Sequence, residues 1–358
     1  MRSADEARRL VASQPSSAVI SLDCEGVRLG RFGKLSLVQM AVSNHFFLVD
    51  GSKDGVIEAL EPLLSSTKIL KIMHDCREDS AALFHQCGIR LGGVVDTQVA
   101  HLLLQRERKN LLHQESYTDL CTKFLKEQVK DTVDMKDRML NDPYLWHKRP
   151  LSKELVDYAL HGVEYLGPVW RSLKDELEIR GVSQQDVIDA SQQWVEYCDL
   201  NREVARPDGA WKVGTPLLGM VAAINDKGVY FKLNLGITGV CSTPSARKRM
   251  LGRSGGFVPV QVGDTVELAV SGVSVDGKIV YVDRRDPDWE YFDFLRRPSP
   301  IKKDSVSQEY RHIPSLVEDQ GIDPLIRRGL GQDGGIDSDD EDMVDHEPIL
   351  TRKPPKFR

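Results

Sequence analysis

The sequence has few of the features that mark a secreted, membrane-spanning or disulfide-linked protein. Its six cysteines are scattered at positions 24, 76, 87, 121, 198 and 241 without a CxxC pair, which argues against a disulfide framework and against a cysteine zinc site. The N-terminal stretch lacks the apolar segment of a signal peptide. No apolar run reaches the length needed to cross a bilayer. We therefore expect an intracellular protein, cytoplasmic or nuclear, that does not bind membranes.

A basic excess, which marks many nucleic-acid-binding proteins, is missing from the total charge. The 48 Lys and Arg residues are outnumbered by 54 Asp and Glu, for a net charge of −6. Residues 333–347 hold eight acidic residues and no Lys or Arg. Because these eight charges exceed the net charge of −6, the total masks any basic surface upstream. The polar composition beyond Pro298 predicts a disordered acidic tail over 298–358. This tail is a candidate contact for protein partners.

The pattern of apolar segments and turn residues along the sequence predicts two folded domains. Three short apolar strands between residues 17 and 50, followed by alternating helix and strand patterns, predict a mixed α/β sheet with flanking helices. Five short β-like segments within 212–285, with a helical stretch between the third and the fourth, predict a small five-stranded barrel of the OB-fold type. The predicted boundaries are 1–16 for an N-terminal helix, 17–182 for the α/β domain, 183–211 for a helix (184–204) and a linker, 212–297 for the barrel, and 298–358 for the tail.

Two acidic residues end the first predicted strand, in the run Leu22-Asp23-Cys24-Glu25-Gly26. Side chains two apart on a strand share a face, so Asp23 and Glu25 point together while Cys24 points away. Two neighbouring carboxylates repel each other unless a cation joins them, and hard cations prefer oxygen ligands. The pair is therefore a candidate platform for Mg²⁺ or Mn²⁺. Alone the motif is weak, because acidic pairs also close strands as solvated turn residues.

A second acidic group lies in the run His74-Asp75-Cys76-Arg77-Glu78-Asp79, between a strand and a helix. Asp75 and Glu78 have the spacing of a helix capping box, and acids in a first helical turn balance the helix dipole. Capping explains Asp79 less well, because Asp is a poor residue inside a helix. Asp79 is therefore a third candidate ligand.

The order of the motifs is more specific than any one of them. The two acidic groups are followed by Val94-Val95-Asp96-Thr97-Gln98 and then by Arg149-Pro150-Leu151, ahead of a helix that contains Tyr158-Ala159. Over roughly 17–180 this order resembles the DEDD exonuclease superfamily. It is most similar to the ribonuclease D branch, near the Egalitarian and exonuclease-3′–5′-domain-containing proteins.

The resemblance implies a ribonuclease H-like fold and a site that hydrolyses phosphodiester bonds of RNA or single-stranded nucleic acid with two metal ions. It also implies roles for individual residues. Asp23 and Glu25 would hold metal, Asp79 would complete the second metal site, and Tyr158 would orient the attacking water. Asp96 matches a position that is usually structural.

The chain departs from the family pattern at Gly162. The family's third motif places an Asp four residues after the Tyr, on one helix face, and here that position holds a glycine. Because a helix turns about 100° per residue, Glu164 would lie about 160° away around the axis unless a π-bulge brought it round. His161 is nearer but offers nitrogen to a metal that prefers oxygen. Loss of one anionic ligand is expected to cost about a thousandfold or more in rate.

The barrel segments resemble the ribosomal-protein-S-one type of OB-fold over about 212–285. That resemblance implies an RNA-binding face on the second and third strands, where aromatics stack on bases and basic residues hold phosphates. The matching residues are Tyr230 and Lys232, while the usual histidine closing the third strand is Ser242. A neighbouring basic loop adds candidate phosphate contacts, although such runs are also common as solvated loops: Arg247, Lys248, Arg249 and Arg253.

These observations support three functional hypotheses. The first is a metal-dependent 3′–5′ exonuclease whose barrel grips the substrate. The second is a catalytically impaired RNA-binding adaptor with an exonuclease-like fold, and position 162 separates it from the first. The third is a scaffold that binds proteins and has no RNA affinity. For a direct test of position 162, we expect Asp to be tolerated there, since Asp costs no more than Gly within a helix.

Overall fold

The computed structural model describes residues 1, 3–43, 45–108, 111–126, 133–205, 211–253, 258–275 and 277–285. The predicted acidic tail lies outside these residues. None of the helices within these ranges is long and apolar enough to span a bilayer.

A five-stranded mixed sheet forms the centre of the N-terminal half. Its strands are β1 (Val19–Val27), β2 (Lys34–Val42), β3 (His45–Asp50), β4 (Leu70–Met73) and β5 (Val94–Asp96). They lie in the order β3-β2-β1-β4-β5. The first three strands form an antiparallel meander, while β4 and β5 run parallel to β1. The predicted mixed α/β class is confirmed, and β1 is the middle strand.

Helices pack on this sheet. They are α1 (Ala4–Ser13), α2 (Glu61–Leu64), α3 (Arg77–Cys87), α4 (Thr97–Glu107), α5 (Tyr117–Leu125), α6 (Val133–Asn141), α7 (Lys153–Glu164), α8 (Leu166–Glu178) and α9 (Gln184–Val195). The strand β2 is buried at nearly every position, which is why its sequence is almost continuously apolar instead of alternating. The helix predicted over 184–204 is shorter, because α9 ends at Val195 and a 3-10 turn over Glu196–Asp199 follows.

The helix α7 begins where its sequence predicts. The hydroxyl of Ser152 accepts a hydrogen bond from the Leu155 amide at 3.3 Å, which caps the first turn. Leu155, Ala159 and Val163 are buried against the sheet. Because this apolar stripe fixes the rotation of the helix, Gly162 lies at its edge and faces β1.

The predicted capping box of α3 is wrong. The carboxylate of Asp75 instead accepts a hydrogen bond from Arg77 Nε at 2.5 Å, and Asp75 has a left-handed backbone with φ of 52°. The N-terminus of α3 is capped by Asp96, whose carboxylate accepts the amides of Asp75 and Cys76 at 3.1 and 2.7 Å. The same carboxylate caps α4 through the amides of Gln98 and Val99. Asp96 therefore joins two helix starts, in agreement with the structural role expected for it.

The C-terminal part is a closed barrel. Its strands are β6 (Pro216–Ile224), β7 (Val229–Lys232), β8 (Thr238–Cys241), β9 (Thr265–Val273) and β10 (Ile279–Arg284), and a helix α10 (Pro244–Met250) lies between β8 and β9. The strand order is β10-β8-β7-β6-β9. Only the β8–β10 pair of this barrel is parallel. The five strands lie within the predicted range 212–285, and the helix lies between the third and fourth strands as the sequence predicts.

The barrel packs directly on the α/β domain. Asn201 donates to the carbonyls of Leu218 and Leu233 at 2.7 Å each, and its side-chain oxygen accepts the Leu218 amide at 2.8 Å. The side chain of Asn234 donates back to the carbonyls of Cys198 and Leu200. Both asparagines are nearly fully buried, so the contact is part of one continuous core.

Candidate active site

The three predicted acidic residues lie together between the sheet and two helices. Asp23 and Glu25 extend from β1, and Asp79 from the first turn of α3. Asp79 is 5% exposed, while Asp23 and Glu25 are partly buried. The carboxylate of Asp23 acts electrostatically on both Glu25 and Asp79. The structure therefore brings the three predicted residues into one carboxylate cluster.

The carboxylate cluster has the electrostatics of a cation site. Burial raises the pKa of Asp23 to about 7. Burial, together with the neighbouring carboxylates, raises the pKa of Glu25 and of Asp79 well above the ordinary range. The Oδ1 atom of Asp79 is buried without a hydrogen-bond partner. Hard oxygen donors, unscreened negative charge and an unpartnered oxygen fit a divalent cation, which would displace the protons.

The side chains are not gathered into a coordination sphere. Within the described ranges, no three His, Cys, Asp or Glu side chains are spaced to hold a metal ion. The carboxylate of Asp23 leans on α7, where a Cβ placed on Gly162 would lie 2.7 Å from Asp23 Oδ2. Asp23 therefore occupies the space into which a side chain at position 162 would extend.

Neither neighbour on α7 replaces the missing carboxylate. The helix is regular to its last residue, Glu164, whose side chain is 40% exposed and lies 4.0 Å from His161 Nδ1. The same nitrogen of His161 contacts the Asp157 carbonyl at 2.7 Å. The alternative in which a π-bulge turns Glu164 toward the site is therefore wrong for this structure.

Tyr158 lies beside the carboxylate cluster, as predicted. Burial, followed by the charges of Glu25 and Asp23, raises the pKa of its phenol, so the hydroxyl stays protonated and can donate a hydrogen bond. Its ring packs at a tilt on Trp146, with ring centres 5.8 Å apart. Trp146 is 2% exposed, so it supports Tyr158 by packing and is not a stacking surface.

Two anchors hold α7 against the sheet. Arg149, just before the helix, donates from Nε to both carboxylate oxygens of Asp50 at 3.1 Å and from Nη2 to the Ser36 carbonyl at 2.9 Å. At the other end, the hydroxyl of Tyr117 donates to the His161 carbonyl and accepts the Tyr165 amide. Tyr117 thus bridges the chain on both sides of Gly162. Nothing local in the sequence indicates this role, because the partners are more than forty residues apart.

Gln39 is a further polar residue at the site that the sequence motifs do not reveal. It pairs with Asp23 across the β1–β2 ladder, and directly opposed residues point to the same face of a sheet. Gln39 is fully buried, and neither its Nε2 nor its Oε1 has a hydrogen-bond partner. The available signal was its polarity within the apolar run Leu35–Val42. Unsatisfied buried groups of this kind are rare and occur at functional sites.

We expect Gln39→Leu to raise the free energy of unfolding by about 1 kcal/mol in metal-free buffer, because it removes an unsatisfied buried amide. If Gln39 also supports Asp23 toward a cation, the same variant should bind Mn²⁺ about tenfold more weakly. Chemical denaturation and calorimetry measure the two effects. Ser36→Ala is the matched control, since Ser36 lies on the same strand and also has a buried, unpartnered oxygen. Equal Mn²⁺ affinity in all three proteins would leave Gln39 a packing residue.

The barrel residues predicted to bind RNA are placed differently. Tyr230 is 4% exposed and packs with Val240, Ala223 and Ile279, so it is not available as an exposed stacking surface. Lys232 is 17% exposed at its side chain and pairs with two acids of the α/β domain. Tyr230 is enclosed by side chains of the barrel itself, whereas Lys232 is paired with the α/β domain, so neither side chain is available in this structure for the RNA contact that the resemblance implies.

Three of the four residues of the predicted basic loop lie on α10, and Arg253 follows the helix. Arg249 forms an ion pair with Asp283, and Arg247 donates to the Asn225 carbonyl at 3.1 Å. Lys248 and Arg253 are exposed. Phosphate contact therefore stays a prediction for these two exposed residues, while Arg247 and Arg249 have structural partners.

The comparisons with known proteins match the α/β domain. The family profile described as 3′–5′ exonuclease matches residues 1–178. The piRNA biogenesis protein EXD1 of Mus musculus is 31% identical over 45% of this chain and 30% of its own length. A ribonuclease D of Xanthomonas oryzae is 32% identical over 49% of this chain and 44% of its own length. The chain thus spans less than half of either relative.

A solved structure of Escherichia coli RNase D is similar at a TM-score of 0.48 and 23% identity, and the match covers 59% of this chain and 52% of that one. The family match falls on the sheet and helices that carry Asp23, Glu25, Asp79 and Tyr158. Residues 1–178 therefore form a domain of the 3′–5′ exonuclease family.

Proposed function

We propose that this protein is a weak, metal-limited 3′–5′ exonuclease that acts on RNA or single-stranded nucleic acid. The observation that supports the proposal is the carboxylate cluster, which lacks an acidic side chain at position 162. Asp23, Glu25, Asp79 and Tyr158 lie together, and Gly162 stands where a fourth carboxylate would extend. Loss of one anionic ligand lowers the affinity for metal without removing the other groups.

In this proposal Asp23, Glu25 and Asp79 would hold Mg²⁺ or Mn²⁺. When bound, the cation supplies Lewis-acid stabilisation for the negative charge that develops on the phosphate. The protonated hydroxyl of Tyr158 donates a hydrogen bond and orients the attacking water. The buried floor formed by Trp146 and Leu37 beneath Tyr158 excludes other water from that side of the site.

The alternative function is a catalytically impaired RNA-binding adaptor. It is favoured by the position of the Asp23 carboxylate, which lies against Gly162 and not in a three-ligand arrangement. We propose further that the barrel is of the OB-fold type, because its third and fifth strands are parallel and a helix lies between its third and fourth strands. In either function the barrel would stabilise the α/β domain through the buried contact at Asn201 and Asn234.

A polarity assay tests the proposed function. Single-stranded RNA labelled at its 5′ end should be shortened slowly from the 3′ end in Mn²⁺, which gives a ladder on a gel, while Asp23→Asn should give none. The same RNA with a blocked 3′ terminus should persist. Binding of the RNA without any Mn²⁺-dependent ladder would favour the adaptor, and absence of RNA binding would contradict both functions.

A further inference from the structure

Lys232 on β7 connects the barrel to the helix turn that carries Asp79. Lys232 Nζ lies 3.3 Å from Asp75 Oδ2 and 3.6 Å from Glu78 Oε1. Asp75 immediately precedes the start of α3, and Glu78 is adjacent to Asp79 in its first turn. A lysine of the barrel therefore contacts one acid just before this turn and one acid within it.

A second connection runs through Tyr197. Its hydroxyl donates to Glu78 Oε1 at 3.0 Å and accepts the backbone amide of Asn234 at 2.7 Å. Tyr197 is 2% exposed and Asn234 is likewise 2% exposed. Glu78 is thus held from two directions by residues of or next to the barrel.

A third contact reaches Arg77, which begins α3. This arginine is fully buried, stacks over Trp194 with its guanidinium carbon 4.0 Å from the ring centre, and donates to Gln114 at 3.0 Å. Its Nη1 atom also lies 3.7 Å from the sulfur of Met220 on β6. Although burial acts in the opposite direction, Arg77 and then Lys232 lower the pKa of Asp75, so this acid stays ionised and paired.

We propose that the outer face of β7 is an intramolecular docking surface for the first turn of α3, and that Lys232 and Tyr197 are positioning residues for Asp79. The proposal accounts for three facts together. It explains why Lys232, expected to face RNA, is paired with acids instead, why a left-handed backbone at Asp75 is retained, and why the barrel contacts the start of α3.

The direction in which removal of Lys232 changes the Mn²⁺ affinity distinguishes a positioning role from a purely electrostatic one. Lys232 is a cation near the carboxylate cluster, so its removal alone should favour binding of another cation. If Lys232 positions Asp79, its removal should instead weaken Mn²⁺ binding, by about tenfold or more as for other residues that orient metal ligands. The two roles therefore predict opposite changes in Mn²⁺ affinity.

The test uses the full chain and four variants. Lys232→Met and Tyr197→Phe should each bind Mn²⁺ about tenfold more weakly by calorimetry, Lys232→Arg should stay close to wild type, and Lys227→Met, at an exposed lysine of the same barrel, should be unchanged. Tyr197→Phe keeps the buried ring, so it remains informative if Lys232→Met does not fold.

Hydrogen exchange of the amides at the start of α3 gives a reading that does not depend on metal. Exchange across Arg77–Ala81 should become faster in Lys232→Met and Tyr197→Phe than in wild type and Lys227→Met. Unchanged exchange, or tighter Mn²⁺ binding in Lys232→Met, would overturn the proposal. It rests on the proposed function only through the metal measurement, so a wild type that binds no Mn²⁺ but shows the exchange difference would refute that function and support the docking.

Discussion

Gly162→Asp should raise Mn²⁺-dependent removal of 3′ nucleotides by about a thousandfold or more over wild type, the loss expected from one missing anionic ligand. The other groups of the carboxylate cluster are already on a rigid sheet and on two helices. The new carboxylate would extend from a helix position that faces Asp23. The rate is measured on 5′-labelled single-stranded RNA over a range of Mn²⁺ concentrations.

Gly162→Ala is the matched control for this gain. It adds the same Cβ, which would make the same close steric contact with Asp23 Oδ2 at 2.7 Å, but it adds no charge. Alanine should leave the rate at or below that of wild type. If Asp and Ala give equal rates, the missing carboxylate is not what limits turnover.

The surroundings of Gly162 add a cost to the helix-propensity argument for Asp at this position. Helix propensity alone makes the exchange neutral, but the Cβ must displace the Asp23 carboxylate, and a fourth acid enters a cluster whose members already repel one another. Gly162→Asp should therefore be less stable than Gly162→Ala in metal-free buffer. Mn²⁺ should stabilise the Asp variant more than the Ala variant, because it binds the native state alone.

Asp23→Asn should stabilise the metal-free protein as pH rises. Burial raises the pKa of Asp23 from 3.8 to about 7 in the folded state, so between these values the folded state holds a proton that the unfolded state has lost. Stability from this group is therefore lost as pH increases from about 4 to 7. Asparagine does not ionise and avoids the loss. At 1.36 kcal/mol per pKa unit, the gain reaches a few kcal/mol above pH 7.

Thermal unfolding at several pH values checks this difference. The melting temperature of Asp23→Asn minus that of wild type should be near zero at pH 4, rise to pH 7 and then level off in the presence of a chelator. An exposed acid, Asp54, supplies the control, and Asp54→Asn should show no such trend. Added Mn²⁺ should reverse the order, because only wild type retains the ligand. A constant difference across this pH range would mean that Asp23 is not perturbed in the folded state.

Strand alternation and motif order were sufficient to predict the carboxylate cluster. Asp23 and Glu25 share a face because their spacing is two, and Asp79 joins them because its helix follows the adjacent parallel strand β4. The barrel strands were also predictable, since five β-like segments had turn residues between them. These features depend on local spacing and on the hydrophobic pattern, which a single sequence contains.

The remaining features depend on contacts between distant residues. The sequence indicates that position 162 lacks a carboxylate. It does not indicate that the Asp23 carboxylate occupies the space into which a side chain at position 162 would extend. Lys232 has the expected position for an RNA contact on an isolated barrel, yet it pairs with acids more than 150 residues earlier. The Asp75–Glu78 spacing favoured a capping box, but Asp96 supplies the cap from another strand. In each case tertiary packing decided between two locally acceptable arrangements.

Calorimetric titration of Mn²⁺ into the metal-free protein is the most direct measurement of whether the carboxylate cluster is a cation site. We predict that wild type binds Mn²⁺, with affinity that increases with pH as protons leave the cluster, and that the double variant Asp23→Asn/Glu25→Gln does not bind. Equal binding by the two proteins, or no binding by wild type at pH 8, would contradict the assignment.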